Sequence, residues 1–131
     1  MRLVYAVGDI HGRFDLLLKA EEAILEHLGD NEGLVIFLGD YVDRGPDSSK
    51  VVEYLMSKTI CLKGNHEDLM VSALESGNYG LWVANGGNAT LESYGWDIPK
   101  SHIEWMKNLP LMVTDGHRIY VHAGKKCWSN G

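Results

Sequence analysis

The chain has 131 residues, which suits one domain, and its 45% apolar and 23% charged residues are typical of a globular protein. Its net charge of −6 argues against non-specific binding to nucleic acid, although a metal can still attract an anion to one site. The apolar runs are too short to cross a membrane, and Cys61 and Cys127 lack metal-ligand spacing. We therefore expect a cytoplasmic protein with reduced cysteines, whose partners are neither nucleic acids nor membranes.

The first half of the chain alternates short apolar runs with amphipathic segments. Strands are predicted over 3–7, 34–38 and 59–62, and helices over 14–28, 47–56 and 67–76. The first helix is expected to bury an apolar face formed by Leu16, Leu17, Ala20, Ala23, Ile24 and Leu28. Right-handed crossovers make the strands of such a β-α-β-α-β series parallel, so their carboxyl ends meet at one edge of the sheet.

The second half is predicted to be mainly helical before a final hairpin. Short helices over 81–83 and 89–94 surround the segment Asn85-Gly86-Gly87-Asn88, and a longer helix is expected over 101–109. The segments 111–113 and 118–121 form a hairpin around Asp115-Gly116 and lead into His122-Ala123-Gly124.

Several residues outside the motifs have ordinary structural interpretations. We expect the tryptophans Trp82, Trp96 and Trp105 in the core, together with Cys61, and the histidines His27, His102 and His117 at the surface. Asp47 or Ser48 is predicted to cap the second helix, and Glu67 to be a helix-start carboxylate that the helix dipole favours.

Three polar motifs follow the three predicted strands. They are Gly8-Asp9-Ile10-His11-Gly12, Gly39-Asp40-Tyr41-Val42-Asp43-Arg44-Gly45 and Gly64-Asn65-His66-Glu67. A Gly-Asp pair after a strand is often only a turn, but three such motifs in order favour a shared metal site. Carboxylate oxygens and imidazole nitrogens suit Mn²⁺, Fe or Zn²⁺.

The spacing of the ligand types predicts two divalent ions. Asp9 and His11 would hold the first ion, Asp40 would bridge, and Asn65 and His122 would hold the second. Two ions roughly 3.5–4 Å apart are a common device for attack on phosphate, and a water between them would lose a proton and act as nucleophile.

The remaining motif residues have the chemistry to complete a phosphoester hydrolase. His66 could protonate the leaving oxygen as general acid, with Asp43 orienting its ring. Arg44 could grip phosphate oxygens bidentately, and Asn65 is expected to contact the phosphate as well as a metal.

These motifs resemble, in full, the three signature motifs of the serine/threonine phosphoprotein phosphatases of the calcineurin-like metallophosphoesterase superfamily. The segment around Trp82, Asn85-Gly86-Gly87 and Thr90-Leu91 is similar to small bacterial and phage members. The resemblance covers residues 1–124 and implies an α/β fold, a central αββα sandwich, and manganese as the usual ion. It implies the same metal, acid and phosphate roles for the motif residues.

The chain departs from that family pattern at its end. Members continue past His-Ala-Gly with a second phosphate-binding arginine and a further metal-binding histidine, whereas here residues 125–131 form an atypical tail. We therefore expect 1–124 to be an incomplete, C-terminally truncated metallophosphoesterase domain, with only the N-terminal part of the sandwich.

The expected activity is metal-dependent hydrolysis of phosphoserine and phosphothreonine in a phosphoprotein or phosphopeptide partner. A symmetrical dinucleoside tetraphosphate hydrolase is the alternative within enzymes, because it shares the same motifs. A truncated, non-catalytic metal-binding remnant is the alternative from another class, because the second metal site would lack its last ligand.

Overall fold

A parallel sheet edge is the framework on which the motifs are placed. The computed structural model of the protein describes residues 3–58 and 60–122. Strand β1 (Leu3–Val7) pairs in parallel with β2 (Gly33–Phe37), and helix α1 (Phe14–Leu28) crosses between them. The predicted first crossover is confirmed, because β1, α1 and β2 follow one another as a parallel β-α-β unit.

The third predicted strand is wrong as a full strand. Among the described residues of this segment only Cys61 forms a parallel bridge, with Phe37, supported by a hydrogen bond from the Leu62 N–H to the Phe37 carbonyl at 2.8 Å. Beyond Leu62 the segment leaves the sheet, because the Lys63 N–H donates to the Pro110 carbonyl at 2.8 Å. Thr59, the predicted first residue of that strand, lies outside the described residues.

Five further helices and a hairpin complete the described fold. They are α2 (Ser48–Leu55), α3 (Asn65–Ser76), α4 (Gly80–Ala84), α5 (Gly87–Ser93), α6 (Lys100–Lys107), and the antiparallel strands β3 (Met112–Thr114) and β4 (Ile119–Val121). All were predicted, with shifted ends. Asp47 occupies the N-cap position of α2, as predicted, but its side chain makes no capping hydrogen bond; its N–H donates to the Gly12 carbonyl.

Two apolar clusters hold these elements together. One surrounds Tyr41 between the sheet, α1 and α2, and the other surrounds Trp82 among α3, α4 and α6. Cys61 is buried in the first cluster, as predicted, and burial raises the pKa of its thiol to about 12. In the part of the chain described, no helix is both long and apolar enough to cross a membrane.

The burial predictions for Trp96 and His102 are wrong, and Leu16 and Ala23, predicted on the buried face of α1, are exposed. Trp96 is 65% exposed, because it follows Gly95 in a turn in which both residues have positive φ. His102 is only 6% exposed, because α6 directs it towards α5 and α2. Its Nδ1 lies 2.8 Å from the Tyr94 hydroxyl and its Nε2 contacts the carboxylate of Glu53, so both ring nitrogens have partners.

Candidate metal centre

The first two motifs are joined to each other through the backbone. The N–H groups of Ile10 and His11 both donate to the Asp40 carbonyl, at 3.1 and 2.9 Å, and the Gly12 N–H donates to the Tyr41 carbonyl at 2.7 Å. The loops that follow β1 and β2 therefore form one hydrogen-bonded unit at the carboxyl edge of the sheet.

This unit is strained. Four non-glycine residues within it have positive φ: His11 at 44°, Asp40 at 59°, Asp43 at 78° and Arg44 at 73°. Such conformations cost on the order of 1–3 kcal/mol each and persist only where the surrounding structure enforces them. All four of these residues belong to the motifs that carry the predicted site residues.

Glycines let the second and third motifs approach each other. A Cβ at Gly39 would lie 2.6 Å from the Gly64 Cα and 3.0 Å from the His122 Nδ1. A Cβ at Gly64 would overlap the backbone nitrogen of Asp40 and lie 2.5 Å from its Oδ1. Any side chain at these positions would separate the motifs that carry the predicted ligands.

Glu67 fixes the second motif to the third. Its Oε1 accepts hydrogen bonds from the Gly64 and Asp40 N–H groups at 2.9 and 2.7 Å, and its Oε2 accepts from Tyr41 at 2.9 Å and Val42 at 3.3 Å. The side chain is fully buried, and burial raises its pKa to about 7, whereas the N–H donors favour the charged form. Sequence reasoning gave Glu67 only a helix-dipole role and missed this clamp.

The predicted metal ligands converge on the carboxylate of Asp40. Its side-chain oxygens form two groups in which the ligand atoms lie within 4.8 Å of one another, one with His11 and His66 and one with Asp9 and His122. Asp9 is exposed, whereas Asp40 and His122 are only 6% and 3% exposed. Asp9 and His11, which were predicted to hold the same ion, are found in different groups, and Asp40 belongs to both.

The hydrogen bonds of the two predicted histidine ligands leave their Nε2 atoms available. The Nδ1 of His11 lies 2.9 Å from the Val42 carbonyl, and that of His122 lies 2.9 Å from the Leu38 carbonyl, so each Nδ1 carries the proton. The Nε2 lone pairs then face the Asp40 Oδ2, at 3.8 and 3.0 Å. A single proton can stabilise only one of these nitrogen–carboxylate contacts, whereas divalent ions can be coordinated by all of these nitrogen and oxygen atoms. The residues therefore fit a metal.

Asn65 stands beside this group. It opens α3 and lines a cleft together with Asp40 and His66. The backbone N–H of His66 donates to the Asp40 Oδ1 at 3.0 Å, which holds the first turn of α3 against the carboxylate. The roles of Asn65 towards metal and phosphate stay predictions.

His66 is held by a buried carboxylate. Its Nδ1 lies 2.7 Å from the Asp43 Oδ2, and Asp43 is fully buried. The other oxygen of Asp43 accepts hydrogen bonds from the Trp82 Nε1 at 2.8 Å and the Thr90 Oγ1 at 2.7 Å. Both oxygens of the carboxylate are therefore fixed, which leaves the Nε2 of His66 directed away from Asp43.

Sequence reasoning missed the support that Trp82, Thr90 and Ser48 give to Asp43. The Asp43 N–H contacts the hydroxyl oxygens of Thr90 and Ser48 at 2.8 and 3.1 Å. The sequence signal that could have indicated this support was the segment containing Trp82, Asn85-Gly86-Gly87 and Thr90. In the structure Gly87 packs directly on Trp82, since a Cβ at Gly87 would lie 2.6 Å from the Trp82 ring. Trp82 is indeed buried, but it is also a hydrogen-bond donor.

Arg44 lies at the rim of this site. Its backbone N–H donates to the Gly86 carbonyl at 3.1 Å, and a Cβ at Gly86 would lie 2.7 Å from the Arg44 Cγ. The side chain is exposed and makes no ion pair with any residue in the described ranges. Its phosphate role stays a prediction.

Comparison with known proteins agrees with this geometry. The model of the calcineurin-like phosphoesterase family matches residues 3–130. The chain is 38% identical to serine/threonine-protein phosphatase 2 of Escherichia coli (strain K12), covering 92% of this chain and 51% of the relative. It is 30% identical to a symmetrical bis(5'-nucleosyl)-tetraphosphatase of Neisseria meningitidis, covering 92% of this chain and 42% of the relative.

A solved structure shares the fold. The metallophosphoesterase from Sphaerobacter thermophilus matches 86% of this chain and 43% of its own chain, with a TM-score of 0.55 and 25% identity. The chain spans about half the length, or less, of the relatives it matches. Its described part is a mixed α/β portion of the metallophosphoesterase fold. Taken with the family match over nearly its whole length, the chain belongs to the calcineurin-like phosphoesterase family.

Proposed function

We propose that the protein hydrolyses phosphomonoesters with two divalent metal ions, and that its substrates are phosphoserine and phosphothreonine side chains of proteins. One observation carries this proposal: the Asp40 carboxylate lies in two groups of ligand atoms, and the ring of His66, which belongs to one of them, is held by the buried Asp43. A metal-type donor set close to an oriented imidazole can supply both metal-ion and general acid catalysis of phosphoester hydrolysis.

Asp9, His11, Asp40, Asn65 and His122 would hold the ions. When bound, the ions would polarise a phosphoryl oxygen and lower the pKa of water. We propose manganese as the activating ion, with iron and zinc also compatible with oxygen and imidazole donors.

The proton needed by the leaving oxygen would come from His66. Asp43 fixes the Nδ1 side of the ring, so the opposite nitrogen is the one that can donate a proton towards the cleft. Arg44, which is exposed and unpaired among the described residues, would bind the phosphate oxygens, and Asn65 would contact them from the first turn of α3.

The relatives divide between the two substrate classes, and the phosphoprotein substrate is supported by the Asn85-Gly86-Gly87 segment, whose Gly86 carbonyl accepts a hydrogen bond from the Arg44 N–H. The relative named as a serine/threonine-protein phosphatase is 38% identical over 92% of the chain. A symmetrical dinucleoside tetraphosphate hydrolase is the second candidate, because a relative so named matches the same share of the chain at 30% identity.

The test is manganese-dependent hydrolysis of p-nitrophenyl phosphate by the purified chain, with and without chelator. We expect His66→Asn to lower the rate on a phosphoserine peptide at least a hundredfold, because the alkoxide leaving group needs a proton and general acid catalysis contributes about 10²–10⁴-fold. His117→Asn is the matched control, because His117 is exposed at the hairpin turn. Rates on a phosphopeptide and a dinucleoside tetraphosphate then separate the two candidates.

If no hydrolysis is observed, circular dichroism would show whether the chain is folded and metal titration would show whether it binds manganese. A folded chain that binds manganese but hydrolyses no faster than its His66→Asn variant would contradict the proposal. That outcome would instead indicate the non-catalytic metal-binding remnant.

A further inference from the structure

A cleft opens beside His66, between helices α3 and α4. It has a volume of about 510 Å³, and Asp40, Asn65 and His66 form its floor. Asp68 and Leu69 of α3 line one wall, and Leu81 and Asn85 line the other. Under the proposed function this is the space next to the leaving oxygen, so its walls contact the group that carries the phosphate.

The charge of these walls is negative. Asp68 is exposed, and its carboxylate forms no ion pair with any described residue. No lysine or arginine is among the described residues that line the cleft. Opposite charges across such a surface select partners and accelerate their association.

The facing wall is apolar with a polar rim. Leu81 is 66% exposed in the first turn of α4. Asn85 lies one turn later, and its Nδ2 donates to the Leu81 carbonyl at 2.8 Å, so its side-chain oxygen remains an acceptor. A long basic side chain matches this pattern, because its methylene stem covers apolar surface while its charged end reaches a carboxylate.

We propose that this cleft binds an arginine or lysine next to the phosphorylated hydroxyl, so that phosphopeptides with basic flanking residues are the preferred substrates. Asp68 is then a specificity-determining residue, and Leu81 supports the stem of the basic side chain. This inference depends on the proposed function, because it places the phosphate at His66.

The same walls disfavour the dinucleoside substrate. Symmetrical cleavage of a dinucleoside tetraphosphate releases a nucleoside diphosphate, so the leaving group carries phosphate charges. In the cleft those charges would face Asp68 with no cationic side chain among the described lining residues. Like charges in close contact lower affinity for the wrong partner.

The test measures binding separately from catalysis. Two short peptides carry a non-hydrolysable phosphonate analogue of phosphoserine, one flanked on both sides by arginine and the other by glutamate. Their affinities for the manganese-loaded chain are measured by fluorescence anisotropy at low salt, since exposed charges are screened at high salt. We expect the arginine peptide to bind about two- to fivefold more tightly, from the energies typical of exposed ion pairs.

Two variants and a control decide the outcome. Asp68→Asn should abolish most of the preference and Asp68→Lys should reverse it, while Asp97→Asn, which removes an exposed carboxylate lining a different cavity, should leave it unchanged. Equal binding of the two peptides, no binding of either, or a preference that survives Asp68→Asn would overturn the inference. Hydrolysis of p-nitrophenyl phosphate by the same samples tests the proposed function independently, so a binding preference without hydrolysis would contradict only the latter.

Discussion

The edge of the sheet that holds the candidate metal centre differs sharply from the outer face of α1 and the hairpin. At the edge, Asp43 and Glu67 are fully buried, and every buried side-chain nitrogen or oxygen in the described residues has a hydrogen-bond partner. On the outer surfaces, Leu25, Leu111 and Ile119 are apolar yet 68%, 54% and 52% exposed.

The difference shows where the fold is specified most strictly. Buried polar groups are costly unless all their hydrogen bonds are made, so the edge tolerates only one arrangement of its loops. Exposed leucines and isoleucines make few contacts within the described part and impose no such constraint. Substitutions should therefore have large effects at the edge and small effects on the outer face.

The largest effect is expected at Asp40. Asp40→Asn keeps the size of the side chain and tolerates the positive φ of 59°, but it removes the charge shared by both groups of ligand atoms. We expect manganese affinity, measured by calorimetry, to fall more than about a hundredfold, since even second-shell changes cost 10–100-fold. Asp30→Asn, in the exposed turn after α1, is the control, and unchanged affinity in Asp40→Asn would rule out Asp40 as a ligand.

Glu67→Gln should be the most destabilising conservative change. Both oxygens of the Glu67 carboxylate accept hydrogen bonds from backbone N–H groups. A glutamine amide has only one oxygen, and its NH₂ group would face N–H donors with which it cannot form a hydrogen bond. Leaving buried donors unpaired is expected to lower the free energy of unfolding by about 3 kcal/mol, as measured by urea denaturation. Glu75→Gln, at the exposed end of the same helix, should change it by less than about 0.5 kcal/mol; equal effects would contradict the clamp.

A pair of glycine substitutions separates close approach from helix propensity. Gly64→Ala places a Cβ against the Asp40 backbone and should cost about 2 kcal/mol of unfolding free energy. Gly80→Ala, at the first residue of α4, adds a Cβ that meets only the Asn78 Oδ1, at 3.5 Å. It should be neutral or stabilising by up to about 1 kcal/mol, because alanine favours helix. Thermal melts of both variants would show opposite signs, and a neutral Gly64→Ala would refute the close contact.

The smallest effect is expected on the outer face of α1. Leu25→Gln should change the free energy of unfolding by no more than about 0.5 kcal/mol, because the side chain is 68% exposed. Leu17→Ala on the same helix should cost about 3 kcal/mol, because Leu17 is only 1% exposed. Similar losses in both variants would mean that the outer face is covered in solution.

The sequence located the predicted ligands well but not what supports them. Asp9, His11, Asp40 and His122 were predicted from strand ends and residue chemistry, and the structure places Asp9 and His122 with Asp40 in one group of ligand atoms and His11 with Asp40 in another. Trp82 and Thr90 were not assigned to the site, because their partner Asp43 is 39 and 47 residues away in the chain. No local sequence pattern predicts a hydrogen bond between residues so far apart in the chain.

Burial was likewise only partly predictable. Periodicity correctly placed Leu17 inside, but it also placed Leu16 on the apolar face of α1, where the structure leaves it 44% exposed. Periodicity reports which residues share a helix face, whereas burial depends on which neighbouring element covers that face. His102 shows the converse, since Tyr94 and Glu53 make its burial possible.

The sequence by itself determined the order of elements, the parallel β-α-β unit and the motifs that carry ligand chemistry. These follow from local patterns: apolar period, turn residues, and the rule that parallel strands end at one edge. The tertiary structure alone decided the Glu67 clamp, the Trp82 and Thr90 hydrogen bonds to Asp43, and the acidic cleft beside His66. Each of these depends on the distance between residues far apart in the chain, which the packing of the whole fold sets.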